Sequence, residues 1–242
     1  MSRNIFQILT SLVLFFILFS CEGKKNKQDI QPDHKTNTLT AIKSGTLIDF
    51  EGNSYNTVVM CDGKEWMTEN LNVSIYRNGD TIPYVEDPEV WSNLTTGAWT
   101  YYQNDYQYGK VFGKLYNWYA VNDSRGLAPK GWRVADEEDW REFIDCLGGE
   151  NVAGGLMKQI GTSHWASPNV GAVNSSGFSA LPAGGRSSKG DFSMVESLGI
   201  FWSASNYDEL QAWIKHVSFS NTFLVSFYND KKSGFSVRCV RE

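Results

Sequence analysis

The stretch Gly131-Trp132-Arg133-Val134-Ala135-Asp136-Glu137-Glu138-Asp139-Trp140 constrains the fold more than any other, because it reads as a strand turning directly into a helix. Trp132 and Val134 alternate with Arg133, the period of a half-buried strand. Asp136 stands where a helix N-cap belongs, and three acids follow it in the first turn, where the helix dipole favours negative charge. Trp140, Phe143, Ile144 and Leu147 then recur at i, i+3, i+4 and i+7 and give one apolar face. Gly148-Gly149 closes the helix. Acids beside tryptophans can resemble an active site. Here the acids start a helix and the aromatics are expected to be core, so this segment is read as a structural joint.

The N-terminus sets the expected address. Arg3 precedes an apolar run from Ile5 to Phe19, which ends in Leu18-Phe19-Ser20-Cys21. A charged start, a short apolar run and a small residue before the cleavage point make a secretory signal over residues 1–20. The run is shorter than the ~20 residues that a spanning helix needs. A cysteine closing that pattern resembles a bacterial lipobox, so Cys21 is expected to be the lipidated first residue of the mature chain. Residues 21–45 are polar, rich in Lys, Asn, Gln and Thr, and too poor in apolar residues to order themselves, so they are expected to form a disordered tether.

A body over residues 46–242 remains, enough for one domain with its own core. Arg3 contributes one positive charge and residues 22–45 a net two, five Lys against three acids, so a chain of net charge −5 leaves a body of −8. Such a body lacks the basic footprint of non-specific nucleic-acid binding, and no nucleic-acid partner is expected. The whole chain's 9 Trp, 11 Tyr, 14 Phe and 22 Gly against 6 Pro point to a fold rich in strands and loops.

The body opens as a meander. Leu47, Ile48 and Phe50 run into the turn Glu51-Gly52-Asn53; Tyr55, Thr57 and Val59 alternate with polar and apolar neighbours; Asp62-Gly63 is a strong two-residue hairpin signal before Trp66. Leu71, Val73 and Ile75 alternate again before Asn78-Gly79-Asp80. The aromatic stretch Trp99–Tyr108 is read as a strand with a ragged loop, and Lys114–Val121 as a short helix. Gly154-Gly155 begins a long loop-rich span, with a short buried strand expected at 177–182. A second meander closes the chain through Phe201–Ala204, Ala212–Phe219, Phe223–Tyr228 and Phe235–Cys239.

Three stretches together resemble the Fibrobacter succinogenes major paralogous domain, common in lipoproteins of Bacteroidetes-type bacteria: Lys64-Glu65-Trp66-Met67-Thr68-Glu69-Asn70-Leu71, Tyr116-Asn117-Trp118-Tyr119-Ala120-Val121 leading to Gly131-Trp132-Arg133, and Gly234-Phe235-Ser236-Val237-Arg238-Cys239-Val240-Arg241. The resemblance runs from about Asp49 to Glu242. It implies an α+β, C-type-lectin-like fold with two short helices, a small twisted, mostly antiparallel sheet and a long loop region. It brings no established activity. Where the family often has Cys-Pro this chain has Ala128-Pro129, and the family's cysteine in the aromatic stretch is missing from Gly97–Tyr102. Cys61, Cys146 and Cys239 remain in the body, allowing one bridge and one leftover thiol. Cys146–Cys239 would tie the second helix to the last strand, and Cys61–Cys239 would tie the two meanders.

Lectin-fold relatives bridge Ca²⁺ and sugar hydroxyls with carboxylate and amide oxygens. Tyr228-Asn229-Asp230 resembles their Trp-Asn-Asp strand motif, and Ser167-Pro168-Asn169 their Glu-Pro-Asn loop motif without its carboxylate. Calcium needs several charged oxygen ligands at one point, so a calcium site is disfavoured and no cofactor or metal is expected. The cysteines lack the close spacing of a metal site, and His34, His164 and His216 lie near none of them in sequence. A metal-free ligand surface is the better expectation. Trp165, Asn206, Tyr207, Asp208, Tyr228, Asn229 and Asp230 are the candidate ligand-binding residues, since rigid rings beside amides and acids suit sugar stacking or a partner's pocket. The fold group also includes distant formylglycine-generating enzymes, but their paired reactive cysteines are reduced here to Cys239, and no phosphate loop or nucleophile elbow is present. The expectation is therefore a lipid-anchored envelope protein, in the outer membrane, held to the bilayer by lipid on Cys21 and binding a glycan or protein without catalysis. The alternatives are an enzyme or a purely structural envelope component.

Overall fold

A computed structural model describes residues 44–242 of the protein; Cys21 and the expected signal and tether up to residue 43 lie outside the described residues. The first three strands, β1 (Ser44–Ile48), β2 (Ser54–Val59) and β3 (Glu65–Met67), form an antiparallel meander. β1 takes in Ser44 and Gly45, the last residues assigned to the tether, because they pair with Val58 and Thr57. Acids shape both turns. The Asp49 carboxylate accepts the backbone N–H groups of Glu51 and Asn53, each at 2.9 Å, and Asp62 accepts those of Lys64 (3.0 Å) and the Trp66 indole (2.9 Å).

Short elements follow: α1 (Pro88–Ser92), β4 (Trp99–Thr100), α2 (Tyr106–Phe112), β5 (Leu115–Tyr116) and α3 (Trp118–Val121). The expected helix over 114–121 is thus a two-residue strand and a single turn capped by Asn117, whose side chain accepts from Ala120 N at 3.0 Å. The aromatic stretch from Trp99 is a short strand, a 3₁₀ turn at 102–104 and a helix started by Asp105. Leu71–Ile75 makes one isolated bridge, Ile75 to Thr81, and no named strand.

The joint forms as its residues dictate. β6 (Trp132–Val134) buries Trp132 and Val134 and leads into α4 (Glu137–Cys146), which buries Trp140, Phe143 and Ile144. Asp136 and Asp139 make a reciprocal capping box: Asp136 Oδ1 accepts from Asp139 N at 3.0 Å and Asp139 Oδ2 from Asp136 N at 2.9 Å. Asp139 is wholly buried and receives the Arg133 guanidinium and, at 2.6 Å, the Lys64 ammonium. Burial alone would raise its pKa, but the hydrogen bonds from Arg133, Lys64 and the Asp136 backbone outweigh it and hold the carboxyl down to about 2.

α5 (Glu150–Met157) occupies a segment expected to be loop. Its Gly154 and Gly155 do not break the helix; they let it approach other backbone. A Cβ on Gly154 would lie 2.2 Å from Phe223 O, and one on Gly155 2.7 Å from Gly171 O. The chain closes with β7 (Ala183–Arg186), β8 (Phe192–Val195), β9 (Leu198–Asn206), β10 (Gln211–Ser218), β11 (Leu224–Asp230) and β12 (Cys239–Arg241). The segment 177–182 is irregular, though Phe178 and Ala180 are fully buried.

The architecture is α+β with small antiparallel sheets: a five-stranded sheet in the order β1-β2-β3-β12-β6, a three-stranded sheet β11-β10-β9, and the pairs β4-β5 and β7-β8. The last strand is slotted between β3 and β6, with Val240 opposite both Trp66 and Arg133. One core cluster gathers Trp132, Trp118, Trp202 and Phe235; a second gathers Trp66, Trp140, Phe143, Trp165, Phe178 and Phe201.

The disulfide joins Cys61 to Cys146, with Cα atoms 5.8 Å apart, in place of either expected pairing through Cys239. The β2–β3 turn carries Cys61 and also Lys64, which binds Asp139 and Glu142 (2.7 Å) on α4 and so lays that turn along the helix. Cys239 is buried on β12 opposite Val134, far inside the first core cluster, with a thiol that burial pushes up to about 12.

Buried cations hold the irregular segments. Lys158, fully buried, donates to the carbonyls of Val170 (2.8 Å), Ser218 (2.7 Å) and Asn221 (2.8 Å). Arg238, also fully buried, donates to Asn70 Oδ1 and to the carbonyls of Met67, Phe178 and Ser179. Arg186 donates to the carbonyls of Val85, Glu86 and Gly190, and Lys231 to those of Asp208 and Glu209. Loop carbonyls without a strand or helix partner must be satisfied somewhere, and these side chains supply several donors each. Burial lowers Lys158 to about 8 and Arg186 to about 10, which leaves both charged at neutral pH.

Candidate functional site

The strands of the second meander set two faces. Across β10 and β11, Trp213 opposes Tyr228 and Lys215 opposes Ser226 on one face; Ile214 opposes Phe227 and His216 opposes Val225 on the other. The first face meets the helices, since Lys215 Nζ binds Glu137 Oε2 at 2.7 Å and Ser226 Oγ donates to Glu150 at 3.1 Å. The second face looks toward the β7–β8 hairpin.

The β9–β10 turn places Tyr207. Asp208 Oδ1 accepts from Leu210 N (2.8 Å) and Gln211 N (2.7 Å), while the N–H groups of Tyr207 and Asp208 both donate to Gln211 O at 3.1 Å. The Tyr207 ring lies parallel to that of Tyr228, 4.1 Å away, and Trp213 meets it edge-on at 5.1 Å. Phe227 stacks on Tyr228 at 4.6 Å with an 11° tilt. Tyr228 is therefore enclosed between two rings, and the exposed members of the stack are Tyr207 (43%) and Phe227 (51%).

Phe227 and Asn229 also line a cleft of about 330 Å³ between the β7–β8 hairpin and the sheet. Leu198, Ile200, Ile214 and Phe235 form its apolar floor, and Met194, 53% exposed, stands at its edge. Ser187, Ser188, Ser193, Ser233 and His216 add neutral polar groups. Burial lowers the His216 pKa, so the imidazole is uncharged at neutral pH. The only formally charged side chain in the lining is Arg186, whose guanidinium is already spent on three backbone carbonyls. Asn229 Oδ1 accepts from Ser233 Oγ (2.8 Å) and Asp230 N (2.9 Å), and its amide nitrogen has no hydrogen-bond partner among the described residues.

Of the candidate residues, Tyr207 and Tyr228 meet in the ring stack and Asn229 lines the cleft. Asn206, Asp208 and Asp230 sit beside them, but the two acids act as turn caps, Asp230 Oδ1 accepting from Lys232 N at 2.9 Å. Trp165 does not belong to the site. It is 2% exposed, packed in the second core cluster, with its indole N–H donated to Ala180 O at 3.1 Å. The Asn169 amide is likewise committed to the carbonyls of Gln159 and Gly161. Among the described residues no group of three or more His, Cys, Asp or Glu side chains is placed to hold a metal ion. Phe227, Met194, His216 and Ser233 were not singled out from sequence. The available signal is the alternation of Phe223, Val225 and Phe227 with Leu224, Ser226 and Tyr228, which marks one face of a strand; that face is exposed.

A larger groove of about 700 Å³ lies elsewhere, between Ile48–Phe50 and Leu127–Gly131. It holds none of the candidate residues, and its Arg77 is engaged with the carbonyls of Ala128, Pro129 and Trp132. The smaller cleft joins a free aromatic face to uncommitted polar groups, which makes it the better ligand site.

A family model described as the Fibrobacter succinogenes major domain matches residues 59–241. No curated protein and no solved structure matches the chain.

Proposed function

The chain belongs to the Fibrobacter succinogenes major domain family, and from that premise we propose that it is a lipid-anchored cell-envelope protein whose C-type-lectin-like body binds a neutral glycan without catalysis. The observation that carries this reading is the Tyr207–Tyr228–Phe227 stack, whose Phe227 lines a cleft in which the one charged side chain, Arg186, is already engaged by backbone carbonyls. Exposed ring faces take the apolar face of a sugar, and serine hydroxyls, a neutral imidazole and a free amide nitrogen suit its hydroxyls. Anchoring through Cys21 in the outer membrane follows from the signal-like N-terminus. Among the described residues no helix is long and apolar enough to cross a membrane. The non-catalytic reading is supported by Cys239, whose buried, protonated thiol is unsuited to the paired-cysteine oxidation of the enzyme alternative.

The test is an array of neutral and acidic oligosaccharides probed with the detergent-solubilised full chain. Selective retention on neutral members is expected. Retention on none of them, together with turnover of any array member, would overturn the reading. Palmitate labelling checks the anchor, and a Cys21→Ala chain that still labels would refute it.

A further inference from the structure

The β1–β2 turn carries the most exposed large apolar side chain among the described residues. Phe50 is 87% exposed at its tip, and Ile48, at the end of β1, is 67% exposed. The groove of about 700 Å³ separates these two from Leu127, Ala128 and Pro129, and Val73 and Ile75 add to its apolar lining. The acids of the tip are satisfied within the fold. Asp49 accepts from Glu51 N, Asn53 N, the Asn53 amide and the Tyr55 hydroxyl, and Glu51 accepts from the N–H and hydroxyl of Ser74. Arg77 is held by carbonyls and by Glu242 at 3.3 Å. Lys130, exposed in the same lining, has no hydrogen bond or ion pair among the described residues. An apolar tip with its acids engaged and one free ammonium suits the boundary between acyl chains and phosphates, where a lysine stem lies along apolar surface and its head stays among polar groups.

We propose that this tip docks on the surface of the phospholipid bilayer that holds Cys21, with Ile48 and Phe50 entering the acyl boundary and Lys130 meeting a lipid phosphate; this rests on the anchoring reading above and extends it to the body. The chain outside the described residues names the occupant. It ends at Ser44, the first residue of the strand whose last residue is Ile48, about 13 Å further on. Cys21 and Ser44 are 23 positions apart, so lipid on Cys21 lies at most about 80 Å from the start of β1. A domain of this size is about 40 Å across, so the tip reaches the bilayer from any starting orientation. The tether makes docking an intramolecular step and keeps the effective concentration of the surface high. Two apolar side chains hold a free body weakly, but they suffice as a second signal beside a lipid anchor. The body's net charge of −8 disfavours anionic lipid, so the surface that fits is zwitterionic.

The test places an environment-sensitive fluorophore on Ile48→Cys in the full lipid-bearing chain, reconstituted into vesicles of phosphatidylcholine and phosphatidylethanolamine. Cys61 and Cys146 are bridged and Cys239 is buried, so the introduced thiol alone takes the label in the folded chain. Its emission should shift to the blue and fall about twofold when the vesicle lipids carry brominated acyl chains. The same label on Leu210→Cys, exposed in the β9–β10 turn, should respond to neither. Adding Phe50→Asp to Ile48→Cys should restore water-like emission, with circular dichroism unchanged and the chain still floating with the vesicles. A floating chain whose Ile48 label stays water-like, or is quenched no more than the Leu210 label, overturns this proposal and leaves the anchor standing. A blue shift without quenching by brominated lipid means that protein covers the groove, and overturns it as well. A chain that carries no lipid and does not float refutes the anchoring reading, and the docking falls with it.

Discussion

The rings of Tyr207 and Tyr228 lie 4.1 Å apart with their planes within 7° of each other, although 20 residues and two strand turns separate them along the chain. The contact is fixed from both ends: Tyr207 by a turn that Asp208 caps, Tyr228 by its place opposite Trp213 in the ladder. Rings held this way lose little freedom when a ligand arrives, which is the usual advantage of a rigid contact surface.

Truncation of the exposed ring should therefore be felt in binding and not in folding. Phe227→Ala is expected to weaken retention on a neutral glycan at least tenfold, the effect of removing about 1.4 kcal/mol of contact. Trp165→Phe should leave retention unchanged and lower unfolding free energy by about 1–3 kcal/mol, since a cavity opens and Ala180 O loses one of its two donors, keeping Gln159 N. Isothermal titration beside urea unfolding separates the two.

Acid should strike the joint. The Asp139 carboxyl has its pKa held near 2 in the fold against 3.8 as its ordinary value, so its contacts stabilise fully above about pH 4 and are lost as pH falls toward 2. The contribution is about 2 kcal/mol. Urea midpoints of the parent chain should drop more steeply over that interval than those of Asp139→Asn, and parallel slopes would contradict the assignment.

The Cys61–Cys146 bridge joins residues 85 positions apart. In the chain-entropy account, Cys146→Ser should reduce stability by about 4 kcal/mol, and a reductant should lower the parent's denaturation midpoint without moving that of the double variant lacking both Cys61 and Cys146. Cys239 should react with a thiol reagent only after unfolding.

Lys158→Met keeps the length of the side chain and removes its donors. It should destabilise by about 3 kcal/mol, because the carbonyls of Val170, Ser218 and Asn221 are left inside without a partner, outweighing the relief of an unpaired buried charge. Thermal unfolding measures it, and an unchanged or raised midpoint would mean that the charge itself is the larger burden.

Gly154→Ala sets two effects against each other. Alanine is favoured in a helix interior by about 1 kcal/mol, but its Cβ would fall 2.2 Å from Phe223 O, a backbone atom that cannot rotate away. The clash should win, with a net loss of about 1–3 kcal/mol in chemical denaturation.

That glycine also shows where local pattern stops being informative. Asp136, the three following acids and the Trp140–Leu147 stripe announce α4 because cap, dipole and apolar face all lie within one short segment. α5 has an equally real helix, yet its two glycines answer to Thr222, Phe223 and Gly171, which only the folded chain brings near. Tyr207 and Tyr228 were legible as loop and strand aromatics beside polar residues. Trp165 had the same local surroundings, and only packing against Met157, Phe178 and Ala180 tells it apart. The bridge partner of Cys146 was hidden for a similar reason. It depends on Lys64 drawing the β2–β3 turn against α4, a contact between residues 75 positions apart.

The buried ammonium and guanidinium groups grip main-chain oxygens, and every amino acid brings one of those. A segment anchored in this way has its path set by Lys158, Arg186, Lys231 and Arg238, while the side chains along it are left out of the contract. Its shape and its lettering are thus separate variables: the outward residues can be rewritten while the trace of the loop stays put. A frame built so can keep one outline and present many different surfaces.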